Sequence, residues 1–191
     1  MTRAVFLDRD GVLNPEVLNP STGQYESPYE LKDFRIYPFV PDSLRALHSA
    51  GYLLFIVSNQ PGYAKGKASM ENLKAIADKM EADLLSQRIE IARSYYCFHH
   101  PEGVVPEYSG PCKCRKPSPF FLQQATKDFS LNLNKSWMLG DRFSDIECGK
   151  AAGTRTILVG AAMPKDGTVL DPPDYAARNL AVAAEIIVSE S

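Results

Sequence analysis

AVFLDRDGVLN, residues 4–14, sets four apolar residues against a run of alternating charge that closes on glycine. A short apolar run bounded by a polar turn reads as a buried strand, and the chain repeats that pattern. Residues 52–57 (YLLFIV), 93–97, 136–139 (SWML) and 154–159 (TRTILV) are the other strand candidates, with 154–159 as the last strand. Helical patterns fall between them at 40–50, 69–87, 118–128 and 143–152, and a terminal helix is predicted over 177–188. Strand and helix in alternation predict an α/β, Rossmann-like three-layer sandwich with a central parallel sheet. The turn-rich stretch 19–28 (NPSTGQYESP) reads as an exposed loop, and the Gly/Pro-rich stretch 160–173 as irregular.

Open sheets of this kind bind ligands outside the carboxyl ends of their strands, so the residues just after each apolar run matter most. They are Asp8, Arg9, Asp10 and Gly11, then Ser58, Asn59 and Gln60, then Gly140, Asp141 and Arg142. In an extended segment the side chains of Asp8 and Asp10 point to opposite sides, and Gly11 supplies the turn that brings the second one round. The pair suits a nucleophile and a proton carrier. Asp141 would add an anionic ligand to a magnesium ion held by oxygen atoms, which offsets the charge of a phosphate. Arg115, Lys116 and Arg142 would grip phosphate oxygens, while Ser58 and Asn59 would donate hydrogen bonds to them. Each motif alone has an ordinary reading. Asp-x-Asp-Gly is commonly a solvated turn, Ser-Asn a strand-to-helix cap, and Asp141 with Asp145 a helix N-terminus. Their order along one predicted rim favours phosphoryl transfer.

Length and composition bound the rest. A chain of 191 residues with 45% hydrophobic content fills one core, so a single domain over 1–191 is expected. The N-terminus carries no basic region followed by an apolar stretch, and no later run suits a membrane span. A cytoplasmic protein with no membrane or nucleic-acid partner is expected, since the formal charge is −2 and no basic-aromatic track is evident. Three of the four cysteines (Cys97, Cys112, Cys114) and two of the three histidines (His99, His100) fall in one loop. Disulfide, metal site and coincidence are the candidates, and a reducing compartment disfavours a disulfide framework, which shifts weight toward metal. Three thiolates and one imidazole suit tetrahedral zinc with no open position. Spacing does not choose between His99 and His100. Cys148 reads as a buried core residue.

The segments FLDRDGVLN, VSNQPGYAKGK, CKCRKPSP and GDRFSDIECGKAAG resemble the four motifs of haloacid dehalogenase (HAD)-type phosphohydrolases. They resemble most the heptose-1,7-bisphosphate phosphatase and histidinol-phosphatase branch, over residues 6–160. The resemblance implies Asp8 as the nucleophile, Asp10 as the general acid/base, and Ser58 and Lys116 as phosphoryl-stabilising groups. It implies Asp8, the main-chain carbonyl of Asp10, and Asp141 as magnesium ligands, with Asn59, Arg115 and Arg142 near the substrate. It also implies a structural zinc on Cys97, His99, Cys112 and Cys114, pinning a loop over 97–114 and aiming Arg115 and Lys116 into the site. Two departures stand out. The stretch 16–28 is longer than the short Gly-Tyr turn usual in the bacterial heptose enzymes, and Arg142 stands where lysine is common. No insertion is large enough for a separate cap domain. The expectation is a monomeric, magnesium-dependent, zinc-stabilised phosphatase for the 7-phosphate of D-glycero-D-manno-heptose 1,7-bisphosphate, a step toward lipopolysaccharide or surface glycan. The alternatives are a histidinol-phosphate phosphatase and a zinc-stabilised phosphate-binding module without turnover.

Overall fold

A computed structural model describes residues 2–20, 22–160 and 171–190. Six strands form one sheet in the order β5 (Arg93–Cys97), β4 (Tyr52–Asn59), β1 (Arg3–Leu7), β6 (Trp137–Gly140), β7 (Arg155–Val159) and β8 (Tyr175–Ala177). Every pairing is parallel. The alternation of β1 explains the two-sided cover. Val5 and Leu7 enter one core with Leu44 and Leu47 of α1 (Val40–Ser49), Ile76 and Met80 of α2 (Met70–Ser86), and Leu180 and Ile187 of α5 (Leu180–Ser189). Ala4 and Phe6 enter the other, with Leu122 of α3 (Phe120–Phe129) and Cys148 of α4 (Phe143–Ala152). Each large apolar side chain sealed this way contributes ~1.5–3 kcal/mol. Cys148 is thus core, as its sequence context implied.

The helices begin where local chemistry lets them. Ser69 caps α2 by accepting a hydrogen bond from Asn72 N at 3.1 Å, and Pro41 enters the first turn of α1 where its missing N–H costs nothing. The parallel sheet and its helical layers match the sequence expectation, with three corrections. Strand β4 runs two residues further than predicted because Ser58 and Asn59 pair with Tyr96 and Cys97. A further strand, β8, pairs with β7 and takes in Ala177, so the terminal helix starts only at Leu180, where Asn179 accepts from Val182 N at 3.1 Å. The stretch 19–28 is no simple loop. Val17–Asn19 (β2) and Gln24–Glu26 (β3) pair antiparallel as a hairpin, with Val17 opposite Glu26. The irregular structure expected at 160–173 falls mostly on 161–170, outside the described residues. Among the described residues no helix is long and apolar enough to cross a membrane.

Candidate active site

Strand order reverses at β1. The chain builds outward through β4 to β5, then crosses back to place β6 on the other flank of β1, which opens a crevice at the strand ends. Asp8 is the first residue past β1, and its N–H donates to Leu139 O of β6 at 2.9 Å. The chain then turns through Gly11, whose φ of +80° is in the left-handed region that favours glycine. A Cβ at Gly11 would overlap the Asp141 carboxylate. The glycine therefore serves twice, turning Asp10 round and letting Asp141 close in. Gly140 does the same for another acid, because a Cβ there would fall within the side chain of Asp145.

At the crevice floor lies Lys116, only 3% exposed. Its Nζ is 2.9 Å from Asp8 Oδ1, 2.6 Å from Asp145 Oδ1 and 2.7 Å from Val57 O. Burial would lower the ammonium's proton affinity, but Asp145 and Asp8 outweigh it and hold Lys116 above the usual lysine range. Carboxylate oxygens of Asp8, Asp141 and Asp145 lie within 4.8 Å of one another. Three acids face one ammonium there. Burial, then the charges of Asp8 and Asp145, push Asp141 up to about 7, and its Oδ1 is buried with no hydrogen-bond partner. An excess of negative charge, and an oxygen with no hydrogen bond whose ion pair to Arg142 Nε is as long as 3.9 Å, fit a hard divalent cation such as magnesium.

Asp10 is held differently. Its carboxylate accepts from Arg9 Nε (3.0 Å) and Nη2 (2.9 Å), Asn14 Nδ2 (2.9 Å) and Gln60 Nε2 (2.6 Å). Burial raises its affinity for a proton, yet Arg9 and the hydrogen bonds from Asn14, Gln60 and Ser27 prevail and hold it below the ordinary carboxylate range. Above this floor opens a cavity of about 330 Å³, lined by Asp8, Asp10, Arg115 and Lys116 and walled by hairpin residues including Tyr25 and Glu26.

The other sequence-predicted residues divide. Arg142 reaches the cavity but pairs with Glu16 at 2.7 Å, and Arg115 donates to His99 O at 3.3 Å. Asn59 lines the cavity while bracing the Lys116 main chain, accepting from its N–H at 3.0 Å and donating to its carbonyl at 3.2 Å. Ser58, 2% exposed at the same strand end, accepts from Gln60 Nε2 at 3.1 Å. Sequence reasoning missed the tie from Asp145 to Lys116, the cavity-lining Lys65 and Lys67, and Glu26, which pairs with Lys67 at 2.6 Å. The signals were present as an acid four residues after Asp141 and as the lysines of YAKGK.

Beside the site, Cys97, His99, Cys112 and Cys114 offer ligand atoms to one point. The sulfurs are 3.2 to 3.7 Å apart, and His99 Nδ1 is 3.6 Å from Cys114 Sγ and 3.9 Å from Cys97 Sγ. Four ligands about 2.0 to 2.3 Å from a central ion would have edges of roughly this length, so the cluster fits a tetrahedral metal. Burial, then contact with Cys114, raises the Cys97 thiol well above its usual range. His100 is not part of this group, and its Nδ1 accepts from Glu102 N at 3.1 Å.

A family model described as HAD-hydrolase-like matches residues 113–183. A relative from Photorhabdus laumondii, named D-glycero-alpha-D-manno-heptose-1,7-bisphosphate 7-phosphatase, is 36% identical over 85% of this chain and 85% of its own. The chain belongs to the HAD-like hydrolase family. A second relative, from Haemophilus influenzae and named for the beta anomer of the same bisphosphate, is 35% identical over 92% of this chain and 91% of its own. The solved D,D-heptose 1,7-bisphosphate phosphatase from B. bronchiseptica, complexed with magnesium and phosphate, shares the HAD-like fold. It gives a TM-score of 0.78 at 24% identity, covering 100% of both chains.

Proposed function

We propose that the chain is a magnesium-dependent phosphatase that removes the 7-phosphate of D-glycero-D-manno-heptose 1,7-bisphosphate through an aspartyl-phosphate on Asp8. The observation that carries this reading is the state of the Asp8 carboxylate. Its Oδ1 is engaged by Lys116 Nζ at 2.9 Å and by Arg9 N at 2.8 Å, which leaves Oδ2 for attack at the cavity floor. The names of the relatives support the substrate, and they include both anomers.

In the first step Asp8 forms a bond to phosphorus as the ester bond to the sugar oxygen breaks, and Asp10 gives that oxygen its proton. The entering phosphate opposes the Asp10 charge and raises its proton affinity for this role. In the second step Asp10 takes a proton from water, the water oxygen bonds to phosphorus, and Asp8 leaves as a carboxylate. Lys116 neutralises charge beside the nucleophile throughout. Asp8, the Asp10 carbonyl and Asp141 would hold magnesium, with Asp145 adjoining, and the ion would supply positive charge to the phosphoryl oxygens. Zinc on Cys97, His99, Cys112 and Cys114 would fix the loop over 97–114 and with it Arg115 and Lys116. Arg115 and Arg142 with Asn59 would face substrate, and Ser58 would support the phosphoryl end through the buried network.

We read residues 1–191 as one monomeric catalytic domain acting in the cytoplasm on a small sugar bisphosphate. The test is Asp8→Asn, assayed for phosphate release from the heptose bisphosphate with magnesium. Turnover should vanish while circular dichroism is unchanged; a folded variant that still releases phosphate at a substantial rate would refute the nucleophile.

A further inference from the structure

Gln60 stands where three polar groups of the site meet, and nothing in the chemistry above uses it. Its Nε2 donates to Asp10 Oδ2 at 2.6 Å and to Ser58 Oγ at 3.1 Å, while its Oε1 accepts from Arg9 Nη2 at 2.8 Å. It is 1% exposed, and Arg9 and Asn14, which also donate to Asp10, are wholly buried. The amide orientation is dictated by its neighbours. Arginine only donates, so the oxygen must face Arg9, and the nitrogen is then turned to the carboxylate. A side chain able to accept from a guanidinium and donate to a carboxylate at once is an amide. Glutamate in its place would set a second negative charge against Asp10, and methionine would leave both partners a bond short.

The origin of the side chain is also fixed. Gln60 N donates to Cys97 O at 2.7 Å, so the residue hangs from the first cysteine of the metal-binding cluster. Three segments distant in sequence thereby converge on one carboxylate: the β1 turn through Arg9 and Asn14, the β4 end through Gln60, and the β5 end through Cys97.

We propose that Gln60 is a positioning residue for Asp10, orienting its carboxyl group toward the sugar oxygen that leaves in the first step. The inference rests on the acid–base role given to Asp10 above. With Gln60 altered, Arg9 and Asn14 still bind Asp10, but their shorter bonds all fall on Oδ1, and Oδ2 loses its 2.6 Å bond and keeps a longer one from Arg9 Nη2 at 3.2 Å. A carboxyl group displaced by about 1 Å loses ~10²-fold in proton transfer.

That role predicts a dependence on the leaving group which a purely structural role would not produce. The parameter kcat/KM covers the steps through cleavage of the ester bond. An aryl oxygen departs without a proton; an alkyl oxygen needs one. Gln60→Met should therefore lower kcat/KM for the heptose bisphosphate, an alkyl ester, by ~10²-fold, and leave 4-nitrophenyl phosphate within severalfold of the wild type. Asp10→Asn, measured beside it, should show the same selectivity more strongly. Equal losses on the two esters in Gln60→Met, with Asp10→Asn selective, would overturn the positioning role alone. Equal losses in Asp10→Asn would overturn the acid–base reading and the positioning role with it. Should Gln60→Met fail to fold, Gln60→Asn withdraws the same amide by one methylene and should show the same selective loss; an unselective loss there overturns the inference as well.

Discussion

Replacing Asp141 with asparagine should make the metal-free protein more stable at pH 8 while removing its response to magnesium. Asp141 has an ordinary value of 3.8, and burial with Asp8 and Asp145 alongside lifts it to about 7 in the folded chain. The folded state thus binds a proton more tightly than the unfolded state. The contribution of Asp141 is most favourable below pH ~4 and is lost as pH rises through ~7. At 1.36 kcal/mol for each tenfold change in acidity, the cost above that range is at most ~4 kcal/mol. The side chain keeps 21% of its exposure, and its neighbours can relax, which brings the expected gain to ~2 kcal/mol. Urea denaturation of chelated wild type and Asp141→Asn across pH 4 to 8 measures it. The variant should be the more stable at pH 8, the gap should close toward pH 4, and added magnesium should raise the wild type alone. Equal or lower stability of the metal-free variant at pH 8 would refute the claim that crowding with Asp8 and Asp145 makes the Asp141 charge costly without a bound cation.

Lys116→Met leaves Asp8 and Asp145 facing each other in the floor with no cation, and should cost ~3–5 kcal/mol of stability by urea denaturation without metal. Gly140→Ala forces the added methyl group into the space of Asp145, and should cost ~1–3 kcal/mol in thermal denaturation along with most of the turnover. Stripping the cysteine cluster with a chelator and restoring magnesium alone should leave turnover depressed, with faster proteolysis within 97–114; full recovery on magnesium would contradict the bracing role.

Local pattern was enough to find the floor of this site. The apolar runs of β1 and β4 stop at Leu7 and Val57, and the polar residues that follow are at the crevice because a parallel sheet puts all its strand ends on one side. The limits of that reading are physical too. No residue of β2 or β3 is fully buried, so the hairpin has no period-two apolar signal, and β8 is three residues long. Asp145 looks from sequence like a first-turn acid. Its main-chain bond from Arg142 N at 3.0 Å agrees with that, yet the same carboxylate also holds Lys116 from 29 residues upstream. Gln60 was visible on the rim, but its grip on Asp10 depends on two loops that meet only in the folded chain. The pairing of Arg142 with Glu16 likewise follows from the hairpin's path rather than from any motif.

The most direct test of the account is phosphate release by the wild-type protein with magnesium, comparing the alpha and beta heptose 1,7-bisphosphates with histidinol phosphate at equal concentration. The kcat/KM for one of the heptose bisphosphates should lie orders of magnitude above that for histidinol phosphate, with no release after Asp8→Asn. Preferred hydrolysis of histidinol phosphate would contradict the substrate, and silence on all three would contradict the phosphatase itself.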